Sequence, residues 1–438
     1  MRNLWRWGLV TKGLLDTEFL EYLRRYNRIF VGYSGGLDST ALLHSLSTNP
    51  QLLSKLTAVH INHGLSPNAL HWQQHCQLFC KKLKISLLIK RVDFKRDANI
   101  EDAARRARYG VFSHLLENED CLVLGHHLND QAETMLLHLL RGTGIDGLAG
   151  MPSRKVFARG EMLRPLLSHS RKTLEEYANF HGLAWINDES NENIAFSRNF
   201  LRHQVMPLLA SRWPQVVNSL VRTSKHCRQA QKNLEDLAKI DCPELKGKSN
   251  QLPLDGLSTL NEARLTNVLR VWLKANQVKL PPAVTFERLI FEVIKAKPDA
   301  NPQVTWEDNC VRRYQDVLYL VKEVEVPYSS LIWNSFPKPL NLGADLGILN
   351  VCVSKKGLVV PAKSIIEVRF RQGGETFVWH GQTKELKKLF QEWQVPPWLR
   401  ARIPLLYINQ QLACVVGYAV SDQFYDANVK VAYQLSVS

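Results

Sequence analysis

Short β-branched runs alternate with longer helical patterns from Arg28 to about Leu140. That alternation is the mark of βαβ units joined into a parallel sheet. Strands are predicted at Ile29–Tyr33, Leu56–Ile61, Ser86–Val92 and Cys121–Gly125. Helices are predicted at Ser39–Leu46, Ala69–Leu83, Ile100–Leu116 and Asp130–Leu140. A helix near Lys172–Phe180, a polar turn at Asn187–Asn191 and a helix over Ser197–Leu209 follow, and the break between Pro207 and Pro214 closes a first domain over 1–213. Residues 214–330 read as a mainly helical middle domain, with Leu265, Leu269 and Leu273 at helical spacing and a strand-like Val304–Val324. From 346 to 438, strands at Ile348–Val353, Ile366–Arg371 and Ala413–Val420 surround a helix at Thr383–Trp393. The expected class is α/β: a doubly wound, Rossmann-like parallel sheet with a helical middle domain and a small α+β C-terminal domain.

Composition narrows the setting. Hydrophobic residues at 45% and charged residues at 22% suit a soluble globular chain and exclude global disorder or a collagen-like fibre. No stretch approaches the ~20 apolar residues of a membrane span, and Arg6, Lys12, Asp16 and Glu18 interrupt the N-terminal segment, so no membrane anchor is expected. The eight cysteines form no C-x-x-C pair, which suits reduced thiols and a cytoplasmic location. His71 and His75, and Cys76 and Cys80, each stand four apart as on one helix face. The two pairs point in directions about 100° apart, which favours an ordinary half-buried helix over a metal site. Lysine and arginine number 56 against 41 acidic residues, and the net charge of +15 points to a polyanionic partner.

Four segments carry candidate chemistry. The first strand ends in Ser34-Gly35-Gly36-Leu37-Asp38-Ser39-Thr40 directly before a helix. Glycines turn backbone N–H groups toward an anion, Ser34 and Ser39 offer hydroxyls, and the helix N-terminus adds its positive end, which makes a pyrophosphate cradle. The spacing matches neither G-x-x-x-x-G-K-[ST] nor G-x-G-x-x-G. Asp38 is a candidate to position Mg²⁺ on a polyphosphate, and helix capping is its other reading.

The second strand ends in His60-Ile61-Asn62-His63-Gly64-Leu65, where a doubly wound sheet binds its ligand, and either an adenine frame or a structural loop fits it. In Glu101-Asp102-Ala103-Ala104-Arg105-Arg106-Ala107-Arg108-Tyr109 helical spacing groups Glu101, Arg105 and Arg108 in one arc and turns Arg106 away. Phosphate binding and a plain Glu101–Arg105 helix pair both remain open there. The fourth strand runs into Gly125-His126-His127-Leu128-Asn129-Asp130-Gln131-Ala132-Glu133-Thr134. Asn129 is the candidate N-cap, with Asp130, Glu133, Thr134 and Arg141 on a polar face.

In this order the four motifs resemble the tRNA(Ile)-lysidine synthase family of PP-loop ATP pyrophosphatases. Further likeness lies in Asp188-Glu189-Ser190-Asn191 with Phe196-Ser197-Arg198-Asn199-Phe200-Leu201-Arg202, in Leu386–Phe390 and in Pro396–Leu405. The resemblance is strong over 28–210 and 366–420 and weak over 214–345. It implies an ATP-dependent ligase that adenylates C2 of cytidine 34 in the CAU anticodon of tRNA(Ile). L-lysine then displaces AMP, and decoding and charging change from methionine to isoleucine.

The resemblance further implies that Ser34, Gly35, Gly36, Leu37, Asp38 and Ser39, with His60 and Asn62, hold ATP, with Mg²⁺ on Asp38. Asp38, Asp130, Glu133 and His127 are the implied catalytic residues, with His126 beside them as a further candidate to bind the amine or take its proton. Arg105, Arg108, Arg198, Asn199 and Arg202 are implied for substrate or phosphate binding. Arg369, Arg371, Lys387, Lys388, Arg400 and Arg402, interleaved with Trp393 and Trp398, are the tRNA-binding candidates of the tail. A tRNA thiolase on the same scaffold is the nearest rival, disfavoured by the missing C-x-x-C. Whether the protein is a homodimer stays open.

Overall fold

The computed structural model describes residues 13–64, 68–93, 100–247, 249–297, 300–321, 330–343, 346–427 and 431–437. Leu65, the side chain of Glu101 and the last three residues of the expected Val304–Val324 strand region lie outside the described residues. The chain divides into two compact units, Met1–Leu234 and Glu235–Ser438.

In the first unit six strands form one sheet: β1 (Arg28–Gly32), β2 (Leu56–Asn62), β3 (Ser86–Arg91), β4 (Asp120–Val123), β5 (Arg154–Phe157) and β6 (Gly160–Leu163), in the order β3-β2-β1-β4-β6-β5. All neighbours pair in parallel except the β5–β6 hairpin at the edge. The four predicted strands and their helices appear within a few residues of their expected bounds. The β5–β6 hairpin was not foreseen.

Alternating side chains explain why both faces are covered. Ile29, Val31, Ala58, Cys121 and Val123 turn to one face and pack with Leu42, Leu46, Leu174 and Tyr177. Phe30, Val59, Leu122 and Met162 turn to the other, against Phe112 and Leu116. A parallel sheet buried on both sides needs such continuous apolar runs. The strand order reverses direction between β1 and β4, and ligands of open α/β sheets bind outside the carboxyl ends at such a point. Ser34–Thr40 follows β1 and Gly125–Thr134 follows β4, so the topology brings these two motifs together.

The helix Val216–Asp241 begins just after the break expected at Trp213, and its Val221 packs with Ala132, Leu136, Leu201 and Met206. The first unit therefore continues to Leu234.

In the second unit, Leu265, Leu269, Trp272 and Leu273 of the helix Glu262–Ala275 pack with Phe286, Leu289 and Val293 as their spacing predicts. They rest on a four-stranded antiparallel sheet ordered Gln251–Pro253, Val317–Val321, Asn309–Tyr314, Gln303–Trp306, a larger sheet than the hairpin expected there. The C-terminal region holds two five-stranded sheets and the helix Leu386–Glu392. Residues Gln382–Glu385, of which 383–385 were expected to open that helix, instead pair with Thr376–Trp379 as a hairpin, because this places Phe377 in the core with Leu386, Leu389 and Phe390. Among the described residues no helix is long and apolar enough to cross a membrane.

Candidate active site

The cradle is shaped by its own side chains. Ser39 Oγ accepts the Ser34 N–H at 3.2 Å and donates to the Gly36 carbonyl at 3.0 Å. Ser34 Oγ accepts the Gly36 N–H at 3.3 Å and lies 3.1 Å from Ser39 Oγ. With the Ser39 proton committed to Gly36, the Ser34 proton goes to Ser39. Both hydroxyls, expected as donors to phosphate, hold the loop in shape. The helix Leu37–Ser47 starts at Gly36 without a side-chain cap, which leaves the N–H groups of Leu37, Asp38 and Ser39 for an outside acceptor.

Gly35 has φ +87°, and a Cβ there would lie 2.6 Å from Ile186 Cδ1 and 3.0 Å from Cys76 Sγ. Gly36, at φ −74°, would bring a Cβ no closer than 3.5 Å to any atom. Gly35→Ala is expected to weaken ATP binding at least tenfold and to cost about 2 kcal/mol of stability, while Gly36→Ala keeps its stability. Thermal melts and ATP titration check this, and equal stability of the two variants would count against the steric reading. Across the switch point a Cβ at Gly125 would sit 3.1 Å from the Asp38 carbonyl oxygen, so only glycine lets the β4 loop close on this helix start.

His127, not the expected Asn129, caps the helix Leu128–Leu140. Its Nδ1 accepts the Asp130 N–H at 3.3 Å, and Asp130 Oδ2 accepts the His127 N–H at 3.0 Å. Asn129 instead accepts the Arg171 N–H at 3.1 Å. With Nδ1 an acceptor, neutral His127 carries its proton on Nε2, which points between Asp38 Oδ2 at 3.6 Å and Asp130 Oδ2 at 3.5 Å. His127 Nε2 is buried between two carboxylates without a hydrogen bond to either among the described residues.

The two carboxylates differ. Burial pushes the Asp38 pKa up, with the Asp130 charge adding to this and His127 opposing it. Asp38 Oδ1 is buried with no hydrogen-bond partner among the described residues. Burial would raise Asp130 as well, but His127 and Arg198 hold its carboxyl below the usual range. Burial and the charges of Arg164, Arg198 and Arg108 push neighbouring His126 down to about 3, against the pull of Asp130, so this ring is neutral.

Glu133 was expected on a polar face as a catalytic residue. It is 2% exposed, and two arginines engage both its oxygens. Arg202 Nε meets Oε1 at 2.8 Å, Arg202 Nη2 meets Oε2 at 2.9 Å and Arg198 Nε meets Oε2 at 3.2 Å. Arg202 also donates to Asp130 Oδ1 at 3.1 Å, and Arg198 to Thr134 Oγ1 at 2.9 Å. Arg198 and Arg202 thus lock the carboxylates in place. Asn199 donates to the carbonyls of Ser190 and Asn193 at 2.8 and 3.0 Å and ties the turn after Asp188.

His60 is buried, its Nδ1 3.1 Å from the Tyr33 carbonyl, and Asn62 accepts the Gly64 N–H at 2.9 Å. Both shape the ends of β1 and β2. Arg105 and Arg106 turn together toward the β5–β6 hairpin, while the Arg108 charge acts on His63 and His126. Arg106, expected to turn away from Arg105, lines the same cavity as Arg105, since an unforeseen hairpin packs against this part of the helix. Sequence reasoning passed over Arg164 and Arg171, which no local motif marks. Among the described residues no group of three or more His, Cys, Asp or Glu is placed to hold a metal. Burial pushes the thiols of Cys76 and Cys80 up to about 12, so they are not thiolate ligands.

In the second unit, Lys387 and Lys388 are exposed on the helix Leu386–Glu392 and make no ion pair with a described residue. Arg369 pairs with Glu367 at 2.6 Å and lies over the Tyr407 ring, and Arg371 lies 3.8 Å from Glu375. Arg400 donates to the Val395 carbonyl at 2.9 Å, and Arg402 sits half-buried nearby. Trp393 packs against Phe390 and Tyr418, and Trp398 against Tyr314 and Tyr319, so neither is a bare stacking platform.

Known families match the same regions. Residues 14–209 match the PP-loop domain, 252–319 the TilS substrate binding domain and 366–436 the TilS substrate C-terminal domain. The tRNA(Ile)-lysidine synthase of Legionella pneumophila strain Philadelphia 1 is 52% identical over 98% of this chain and 99% of its own length. That of Coxiella burnetii is 39% identical over 93% of this chain and 92% of its own. That of Yersinia pseudotuberculosis serotype O:1b is 40% identical over 93% and 95%. With likeness of this order along nearly its whole length, the chain belongs to the tRNA(Ile)-lysidine synthase family.

Proposed function

We propose that this protein is an AMP-forming ligase that uses ATP to activate C2 of cytidine 34 in the CAU anticodon of tRNA(Ile) and joins L-lysine there, releasing AMP and pyrophosphate. The observation that carries the reading is the meeting, at the β1/β4 switch point, of an uncapped helix start and a partly unpartnered carboxylate, Asp38. Such a site grips an α,β-phosphate segment through backbone N–H groups and lacks a P-loop lysine for the γ-phosphate.

Asp38 and Asp130 suit Mg²⁺, a hard cation that is commonly held by one or two carboxylates, with water and substrate phosphates supplying the other ligands. When bound, Mg²⁺ would neutralise charge developing on the phosphates. His127 Nε2 lies between the two carboxylates, and the Arg198–Glu133–Arg202 unit keeps Asp130 in place. Asp130, held ionised, attracts the lysine ammonium. That ammonium must lose a proton before its nitrogen can attack C2. Of the four groups expected at this step, Glu133 is held by two arginines, and Asp130, His126 and His127 stay the candidates.

The tail contributes Lys387 and Lys388 as the cations open to tRNA backbone, while Arg369, Arg371 and Arg400 shape the surface around them. We take residues 1–213, 214–330 and 346–438 as the catalytic, middle and tRNA-binding domains, and the cytoplasm as the compartment.

Incubation with ATP, Mg²⁺, labelled lysine and unmodified CAU-anticodon tRNA(Ile), followed by nucleoside mass spectrometry, tests the proposal. Lysidine at position 34 with an equal amount of AMP is expected. AMP without lysine transfer would mean another nucleophile. A thiolase is disfavoured by Cys121, which is buried within β4 with its thiol pKa pushed up by desolvation.

A further inference from the structure

A cavity of about 300 Å³ lies between the helix Ile100–Leu115 and the β5–β6 hairpin, on the sheet face opposite the helix Leu37–Ser47. Four of its lining residues are cations, Arg105, Arg106, Lys155 and Arg164, and only Asp102 is acidic. None of the four cations forms an ion pair with a described carboxylate, whereas Arg28, Arg198 and Arg202 of the same unit do.

Arg164 is the telling residue. It is 6% exposed, it donates to the Pro152 carbonyl at 2.9 Å and the Met162 sulfur at 2.9 Å, and among the described residues its Nε is buried without a hydrogen-bond partner. Burial, opposed by Tyr109 and reinforced by the Arg105 charge, pushes its pKa below the ordinary guanidinium value. A buried guanidinium without a counter-charge is costly, and an anion entering the cavity would supply one. The cavity wall also holds Tyr109 and Phe157, whose rings meet edge to face at 5.8 Å. Such rings give a ribose or base a surface to rest on.

Resting on the reading of the chain as a tRNA-modifying ligase, we propose that this cavity binds a backbone phosphate of the tRNA strand beside the nucleotide under modification. Position supports this assignment. Arg164 follows β6, next to β4, and its charge reaches His126 at the catalytic loop. The chemistry favours a phosphodiester over a free nucleotide. The cations are side chains on the middle of a helix and on a hairpin, with Arg106 and Lys155 on the open rim, and the polyphosphate of ATP already has the backbone cradle.

The test compares Arg106→Glu/Lys155→Glu with wild type by filter binding of CAU-anticodon tRNA(Ile) over a range of salt. The variant is expected to bind tRNA at least about tenfold more weakly, with the slope of log K against log salt reduced by roughly 1.4 to 1.8. Its affinity for ATP alone should stay within about twofold of wild type, and Arg106→Lys/Lys155→Arg should retain tRNA affinity, since phosphate contacts tolerate either cation. Should the charge reversal disturb folding in a thermal melt, Arg106→Ala serves instead, with an expected loss of slope near 0.7. Unchanged tRNA affinity and slope would overturn the proposal, as would a loss confined to ATP binding. Because binding is read without turnover, a wild type that binds tRNA but makes no lysidine would defeat the functional reading alone. A wild type that binds no tRNA would defeat both.

Discussion

Alanine at position 38 is expected to lower lysidine formation by about a thousandfold or more while leaving tRNA affinity within about twofold of wild type. The Asp38 carboxylate stands in the first turn of the helix that follows the cradle. One oxygen is buried and unpartnered, and the other faces His127 Nε2 at 3.6 Å. A carboxylate whose burial raises its pKa gains nothing for the fold by staying there. Removing it should therefore leave the thermal midpoint unchanged or slightly higher, whereas a structural cap would lower it. The decisive comparison is single-turnover AMP release and tRNA binding on the same preparation. Activity within tenfold of wild type would remove Asp38 from the catalytic site.

The second large effect concerns Glu133. Glu133→Gln should destabilise the first unit by about 3 kcal/mol, the lower end for breaking a buried ion pair, because the two arginines retain about a fifth of their side-chain exposure. For a unit of this size that corresponds to a melting point lower by roughly 6 to 12 °C. Activity should fall at least about a hundredfold in parallel, since Arg202 also holds Asp130 Oδ1 at 3.1 Å. A Glu133→Gln/Arg202→Gln double-mutant cycle should show strong coupling. If Glu133→Gln melts within about a degree of wild type yet loses turnover, Glu133 acts on substrate directly and the positioning role assigned to it fails.

These two variants separate what kinds of information the residues carry. Asp38 was legible from its place in the strand–loop–helix motif, since phosphate cradles are local objects: a few consecutive residues create the turn, the glycines and the helix start. The same holds for the strand and helix order from Arg28 to Leu140, because period-two and helical patterns are written in neighbouring residues. The likeness of the motifs in series also pointed to the correct family. The roles of Glu133, Arg198 and Arg202 were not legible in this way. Each looks like a solvent-facing charge on its own helix, and only the approach of the 197–212 helical run to the helix Leu128–Leu140 turns them into a buried cluster. Likewise Arg164 has no local signature, and its lack of an ion pair among the described residues exists only in three dimensions.

Differences within the tail have the same origin. Residues 383–385 alone favour a helix start, yet they form a strand, since pairing with Thr376–Trp379 buries Phe377, and tertiary burial outweighs a propensity difference of a few tenths of a kcal/mol. Arg369, Arg371 and Arg400, tRNA-binding candidates of the tail, have partners inside their own domain.

By itself, then, the order of residues determined the βαβ framework, the cradle at the end of β1 and the family, because these depend on short-range periodicity and on turns a few residues long. Tertiary structure alone decided which charges are paired, which histidine nitrogen faces the carboxylates and which arginines share a cavity. Those outcomes depend on distances between segments far apart in the chain, and burial makes each unpaired charge costly enough for a small displacement to reassign its role.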